Sequence, residues 1–266
     1  MDDPVSDAEL MQWFEKLAVW DASAGGPEVS DTIHYGVHPD QIIDVWRPDK
    51  SRGATVVAIH GGYFLEDFDR NIHIALVREL VRRGLTVWNV EYRRIGRDGG
   101  LHETTGDIWS ALDTVVAHSG TANIAVLGHS AGGYLAEWVS SHPAVGLCVA
   151  MAPVIDLALT ITSGFDEGAV VQWIGAAPDQ TPNLYAQSDL IARLPANARH
   201  VLLHGRRDRV VDFSQSQRFE RLAKIAGEEV KLIDLPDSGH FAFIDPREKE
   251  FELVHSEFSA WYASPS

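Results

Sequence analysis

The spacing of its apolar runs narrows the folds open to this chain more than any other feature. TVVAIH (55–60), LTVWNVEY (85–92), NIAVLG (123–128), VGLCVAM (145–151), HVLLHG (200–205) and VKLIDL (230–235) are short, rich in β-branched residues and largely apolar. A strand with one wet face alternates apolar and polar residues, whereas a continuous apolar run has to be covered on both faces. The segments between these runs have helical spacing. In 71–83, Ile72, Leu76 and Leu80 recur four apart before Gly84; in 104–118, Ile108, Leu112 and Val115 share one side. Further helices are predicted over 131–142, stopped by Pro143, over 214–226 and over 247–262. Strand followed by helix, repeated, predicts an α/β protein whose parallel sheet carries helices on both faces.

Two features precede this series. Leu10, Trp13, Phe14 and Leu17 place a helix over 7–20. TIHYGV (32–37) and QIIDVW (41–46), joined by His38-Pro39-Asp40, predict an antiparallel hairpin that makes the sheet mixed. No repeat, low-complexity tract or linker divides the 266 residues, so one domain over 1–266 is expected. Residues 156–197 break the rhythm with Pro178, Pro182 and Pro195 and with short apolar pieces such as AVVQWI (169–174). That apolar content argues against disorder, and the segment is expected to be a small helical cap over a pocket, with a plain surface insertion as the other reading.

Composition excludes several classes. The first ten residues are acidic and lack a signal peptide's basic start and apolar stretch, and no apolar run approaches the roughly 18 residues of a membrane span. A soluble, cytoplasmic protein is expected, with no membrane partner. A net charge of −16 repels phosphate backbones, so no nucleic acid is expected either. The single cysteine, Cys148, lies inside an apolar run and reads as a buried small hydrophobe.

The chemistry is signalled by Gly128-His129-Ser130-Ala131-Gly132, a G-x-S-x-G pentad that follows one predicted strand directly and opens a predicted helix. Small residues around the serine let strand and helix approach closely while a tight turn lifts the hydroxyl out of the sheet. The helix N-terminus then turns its amides toward developing negative charge. A serine hydroxyl is a weak nucleophile without a base to take its proton. His240, in Pro236-Asp237-Ser238-Gly239-His240-Phe241, lies on a loop just after the last predicted strand and is the best of twelve histidines; His60 and His129 are expected to point into packing. The acid that orients it is sought after the preceding strand. Asp208 fits, while Asp212, four residues on at the approach to the next helix, suits an N-terminal cap. The order Ser130, Asp208, His240 is that expected of an α/β-hydrolase. Acyl transfer also needs donors for an oxyanion, and HGGY (60–63), directly after the strand TVVAI, supplies Gly62 and Tyr63 to act with Ala131.

With these stretches in view, the chain resembles the α/β-hydrolase superfamily, and within it the carboxylesterase and kynurenine-formamidase-like branch. The resemblance is carried by HGGYF (60–64), NVEYRR (89–94), GHSAGG (128–133), HGRRDRVV (204–211) and DSGHF (237–241). It implies a mostly parallel sheet of eight strands and a triad of Ser130, Asp208 and His240. It further implies an oxyanion hole from Gly62, Tyr63 and Ala131, and hydrolysis of a small ester or amide without a cofactor. The expected activity is that of a carboxylesterase; an arylformamidase is the alternative, and a ligand-binding protein without turnover a third.

Phe64, His129 and Trp173 are candidates for the substrate pocket, with Tyr63 and Phe68 beside them, although packing aromatics are commoner than substrate clamps. Glu91, Arg93 and Arg94 read as a structural ion cluster at a sheet end. His34 and His38 have a metal-compatible spacing but fall on the predicted hairpin, so no metal is expected. The expected partner is a small ester or amide, and a homodimer stays open.

Overall fold

A computed structural model describes residues 6–163 and 168–263. Eight strands form one sheet: β1 (Asp31–His34), β2 (Ile42–Trp46), β3 (Thr55–Ile59), β4 (Thr86–Val90), β5 (Ile124–His129), β6 (Val145–Met151), β7 (Arg199–Gly205) and β8 (Val230–Leu235). Their spatial order is β1-β2-β4-β3-β5-β6-β7-β8. The β1–β2 hairpin is antiparallel and β2 joins β4 antiparallel; every pairing from β4 to β8 is parallel. This is the mixed, eight-stranded sheet of the α/β-hydrolase fold.

Strand side chains alternate between two cores. Val57, Ile59 and Val126 face one side, where they meet Ile108, Leu112 and Val115 of α3 (Leu101–Ser119), Leu135 of α4 (Ala131–Trp138) and Phe219 of α8 (Ser214–Ala226). Val56, Ala58 and Leu127 face the other, against Trp13 and Leu17 of α1 (Asp7–Ala24), Leu76 and Leu80 of α2 (Ile74–Arg82) and Phe258 of α9 (Lys249–Ala263). Both faces are covered, which is why the strands could be apolar throughout. Between β6 and β7 the described chain forms the short helices α5 (Leu157–Ser163), α6 (Ala169–Ile174) and α7 (Pro182–Gln187). Among the described residues no helix is long and apolar enough to cross a membrane.

Element ends shift from the expected positions for local reasons. The helix predicted to run to His142 ends at Trp138: the Ser140 hydroxyl donates to the Glu137 carbonyl (2.7 Å) and a turn links the His142 amide to the Val139 carbonyl (2.9 Å). The helix over 71–83 opens as a 3₁₀ turn (Arg70–His73), entered where the Asp69 carboxylate accepts the Asn71 amide at 2.8 Å. α1 runs on to Ala24, past the predicted end at 20, and stops at Gly25, whose φ of 59° favours glycine. β4 ends at Val90, two residues before the predicted end; the Glu91 amide still donates to the Ile42 carbonyl (3.0 Å), while its side chain enters a buried polar network.

Phe258 is fully buried on the α9 face. Replacing it with alanine removes a large side chain from a packed core, and urea unfolding should show a loss of about 3–5 kcal/mol. A loss under about 1 kcal/mol would mean that α9 is only loosely docked.

Candidate active site

The ends of β3, β5, β7 and β8 bring the sequence candidates to one edge of the sheet. At the end of β5 the chain turns at Ser130 with φ 56° and ψ −122°, a left-handed conformation costly for any residue but glycine. The turn is held on both sides. The Ser130 amide donates to the Met151 carbonyl (2.9 Å), and the Ser130 carbonyl accepts from Gly133 (2.9 Å), Tyr134 (3.2 Å) and Val154 (3.2 Å). Gly132 is required by close approach: a Cβ there would lie 2.2 Å from the Ile59 carbonyl oxygen and 2.4 Å from that of His60. The start of α4 thus rests directly on the backbone entering the HGGY loop. Tyr63 and Phe64 in that loop also hold positive φ, 56° and 61°. Three strained non-glycine residues meeting at one point mark a place where geometry is kept at a cost in stability.

Asp208 lies on the loop after β7, and its side chain is completely buried. Its Oδ1 accepts the amides of Val210 (2.8 Å) and Val211 (2.7 Å); its Oδ2 lies 2.7 Å from His240 Nδ1 and 3.1 Å from His204 Nε2. Burial opposes ionisation, but the two imidazoles and the donated hydrogen bonds outweigh it and hold the carboxyl well below the usual carboxylate range. The ionised Asp208 fixes a proton on His240 Nδ1 and so directs Nε2 away from the acid. Asp212, the rival, accepts the Ser214 amide (2.7 Å) at the entrance of α8, as a cap.

His240 is itself 1% exposed. His129 stands beside it, ring centroids 4.6 Å apart, and donates from Nε2 to the His240 carbonyl (2.8 Å). Burial, then the neighbouring His240 and His73, push His129 far below the ordinary histidine range, so it is neutral and serves as a hydrogen-bond strut. Further along the loop, the Ser238 hydroxyl donates to the buried Glu250 carboxylate of α9.

Two small apolar chambers flank Ser130. One is lined by Phe64, Ala131, Val154, Val170, Val210 and Val211; the other by Leu10, Phe14, Phe68, Ile72, His240 and Phe241. Ser130 and Tyr63 line both. Each has a free volume of about 20 Å³, little more than one water needs. Gly62 and His129 belong to the second chamber.

Of the sequence candidates, Ser130, Gly62, Tyr63, Phe64, Ala131, His129 and His240 line one or both chambers, and Asp208 stands behind His240. Trp173, expected in the pocket, lies outside both linings and one layer back. It stacks on Phe64 with centroids 4.0 Å apart and donates from Nε1 to Thr104 Oγ1 (3.0 Å). Burying the Phe64 ring and satisfying an indole N–H explain Trp173 without a substrate.

The charged cluster is differently wired than expected. Arg93 turns to Asp107 (2.7 and 2.9 Å), while Glu91 accepts from His60 Nε2 (3.0 Å) and from the amides of Arg70 (3.0 Å) and Tyr92 (3.0 Å), with Arg94 3.4 Å away. Glu91 therefore ties the HGGY loop to the following segment that carries Phe68. Sequence reasoning also missed α1 as a wall of the site, through Leu10 and Phe14, and His204 as a second partner of Asp208. The apolar stripe of α1 was visible, but nothing local distinguishes a stripe that covers a core from one that covers a serine. Among the described residues one group could hold a metal: Glu137 of α4, Cys148 of β6 and His200 of β7, all buried.

A profile of the prolyl oligopeptidase family matches residues 82–264, more than half of the chain. The human acylamino-acid-releasing enzyme is 26% identical over 215 residues, 73% of this chain but 29% of that protein, so the chain spans less than a third of its length. Among solved structures, esterase B from Lactobacillus rhamnosis is 19% identical with a TM-score of 0.74, covering 96% of this chain and 95% of its own. An esterase from Pyrobaculum calidifontis is 21% identical with a TM-score of 0.72, covering 98% and 94%. At these identities the structures attest the shared fold.

A carboxyl whose folded pKa is depressed stabilises the fold above its unfolded pKa of about 4, and that stabilisation is lost as pH falls toward the folded value. In Asp208→Asn it is absent at every pH. The difference in unfolding free energy between wild type and variant should therefore shrink as urea denaturation is repeated from pH 6 down to pH 3. A difference independent of pH would show that the fold does not favour the ionised form of Asp208.

Proposed function

The chain belongs to the prolyl oligopeptidase family and is a serine hydrolase of the α/β-hydrolase superfamily; we propose that it is a carboxylesterase-type enzyme that cleaves a small ester through an acyl-enzyme on Ser130. The observation that carries this reading is the pair of tight chambers around Ser130, of which only one is lined by His240.

In the proposed mechanism Ser130 Oγ attacks the ester carbonyl as His240 Nε2 takes its proton, and the Asp208 carboxylate stabilises the imidazolium that forms. The oxyanion rests on backbone amides of Gly62, Tyr63 and Ala131; a single such donor is typically worth about 10²–10³ in rate. His240 then returns the proton to the departing oxygen, and a water activated by the same imidazole releases the acyl group. The leaving oxygen must lie within reach of His240, so the chamber lined by that histidine takes the leaving group. The valine-lined chamber is left for the acyl group. Its volume suits an acetyl-sized group, and lining a methyl with Val154, Val170 and Val211 gains hydrophobic contact that a formyl hydrogen would not. That favours an ester or amide of a short acid over the arylformamidase reading.

Residues 156–197 act in this proposal as a cap, since Thr160, Ala169 and Val170 wall the acyl chamber. Family membership also favours a second reading, an amidase, because the human relative is named for releasing acylamino acids.

Ser130→Ala should lower the turnover of p-nitrophenyl acetate at least about a thousandfold while leaving the circular dichroism spectrum unchanged; near-wild-type turnover would remove Ser130 from the mechanism. With wild type, kcat/KM should be higher for p-nitrophenyl acetate than for p-nitrophenyl octanoate, for N-formylkynurenine and for 4-nitroacetanilide. A preference for the long acyl chain would contradict the small acyl chamber, and preference for the formamide or the anilide would select the corresponding alternative.

A further inference from the structure

The leaving-group chamber cannot contain much of a leaving group. Its free volume of about 20 Å³ is closed by Phe14 and Phe68, whose ring centroids are 6.4 Å apart. On the far side of those two rings lies a groove of about 420 Å³ between α1 and the 3₁₀ turn that leads into α2. Phe14, Phe68 and Ile72 line both spaces, so chamber and groove share one wall. Beyond the shared residues the groove is floored by Leu17, Ile74 and Ala75 and edged by Met11 and Ala18, and its far end is closed by the ion pair of Arg78 with Asp21. Its volume is that of an ordinary small-molecule site.

α1 is built unevenly. It buries Trp13 and Leu17 against the core and leaves Met11 53% exposed, and at two of its groove positions, Ala18 and Ala22, it carries only small side chains. Larger apolar residues at 18 and 22 would have filled the groove and gained burial. Left open, the groove lies against the chamber assigned to the alcohol, with Phe14, Phe68 and Ile72 as their common wall.

Resting on the esterase reading above, we propose that the groove beneath α1 binds the extended alkyl portion of the alcohol in the ester cleaved at Ser130, the Phe14 and Phe68 rings turning aside to admit the chain. The substrate class is then a short-acid ester of a long-chain alcohol, with the acyl group in the valine-lined chamber and most of the binding area on the alcohol side. Each methylene drawn into the groove improves kcat/KM by roughly threefold, until the chain reaches Asp21 and Arg78.

The test uses the full chain and a series of alkyl acetates from ethyl to octyl, kept below their solubility limits, with acid release followed in a pH-stat. Wild type should show kcat/KM rising at least about tenfold from ethyl to octyl acetate. Ala18→Trp, which puts an indole in the groove, should collapse the octyl-to-ethyl ratio toward one. Val19→Trp, on an exposed position of the same helix outside the groove lining, should keep the wild-type ratio. A flat wild-type series, or an unchanged ratio in Ala18→Trp, overturns the proposal. Failure of the esterase reading is separable, because 1-octanol binding to Ser130→Ala, followed by calorimetry, needs no turnover. Saturable binding that Ala18→Trp abolishes in that background supports the groove even if no acetate is hydrolysed; absent binding, or binding indifferent to Ala18→Trp, overturns it.

Discussion

The site depends on one backbone contact, the approach of the first turn of α4 to the end of β3. Gly132 permits it, since any Cβ there would collide with the carbonyl oxygens of Ile59 and His60. Gly128 permits the return of the same turn onto β5, where a Cβ would lie 2.0 Å from the Gly132 carbonyl oxygen. Without these two absences of side chain, the serine turn and the HGGY loop could not share the space in which a carbonyl oxygen would meet amides from both. The strained φ values of Tyr63, Phe64 and Ser130 follow from closing the backbone over so short a distance. The rest of the structure holds that strain in place: the sheet hydrogen bond from Ser130 to Met151, the Glu91 carboxylate gathering His60, Arg70 and Tyr92, and the Phe64 ring stacked on Trp173.

Electrostatics complete what the packing begins. Asp208 is buried yet ionised because two backbone amides and two imidazoles converge on it, and the charge so retained orients His240. His129 stays neutral between His73 and His240 and can hold the His240 carbonyl without adding a competing positive charge. His73 is likewise held down to about 3 by burial and by nearby His60.

Much of this was legible in the sequence because it is local. The continuous runs VGLCVAM and VKLIDL became strands with the predicted ends, and the helix over 214–226 likewise. The GHSAG, HGRRD and SGHF stretches announced their loops because turn chemistry and strand ends are written in neighbouring residues. What was missed depends on contacts distant along the chain. The stripe of α1 that reaches toward Ser130 looks in sequence like any core-facing stripe, and Trp173 looks like any cap aromatic until Phe64, more than a hundred residues earlier, is found beneath it. The pairing of Arg93 with Asp107 rather than Glu91 was equally hidden, since it joins the segment after β4 to α3, fourteen residues on.

The proposed chemistry centres on a covalent step at Ser130. Acid-quenching the protein within milliseconds of mixing with p-nitrophenyl acetate, then mapping its peptides by mass spectrometry, addresses that step directly. An acetyl group on the peptide containing Ser130, absent in Ser130→Ala and accumulating in His240→Ala far more slowly than in wild type, is the predicted result. Turnover without acetylated Ser130, or acetyl found on another residue at the same rate, would contradict it.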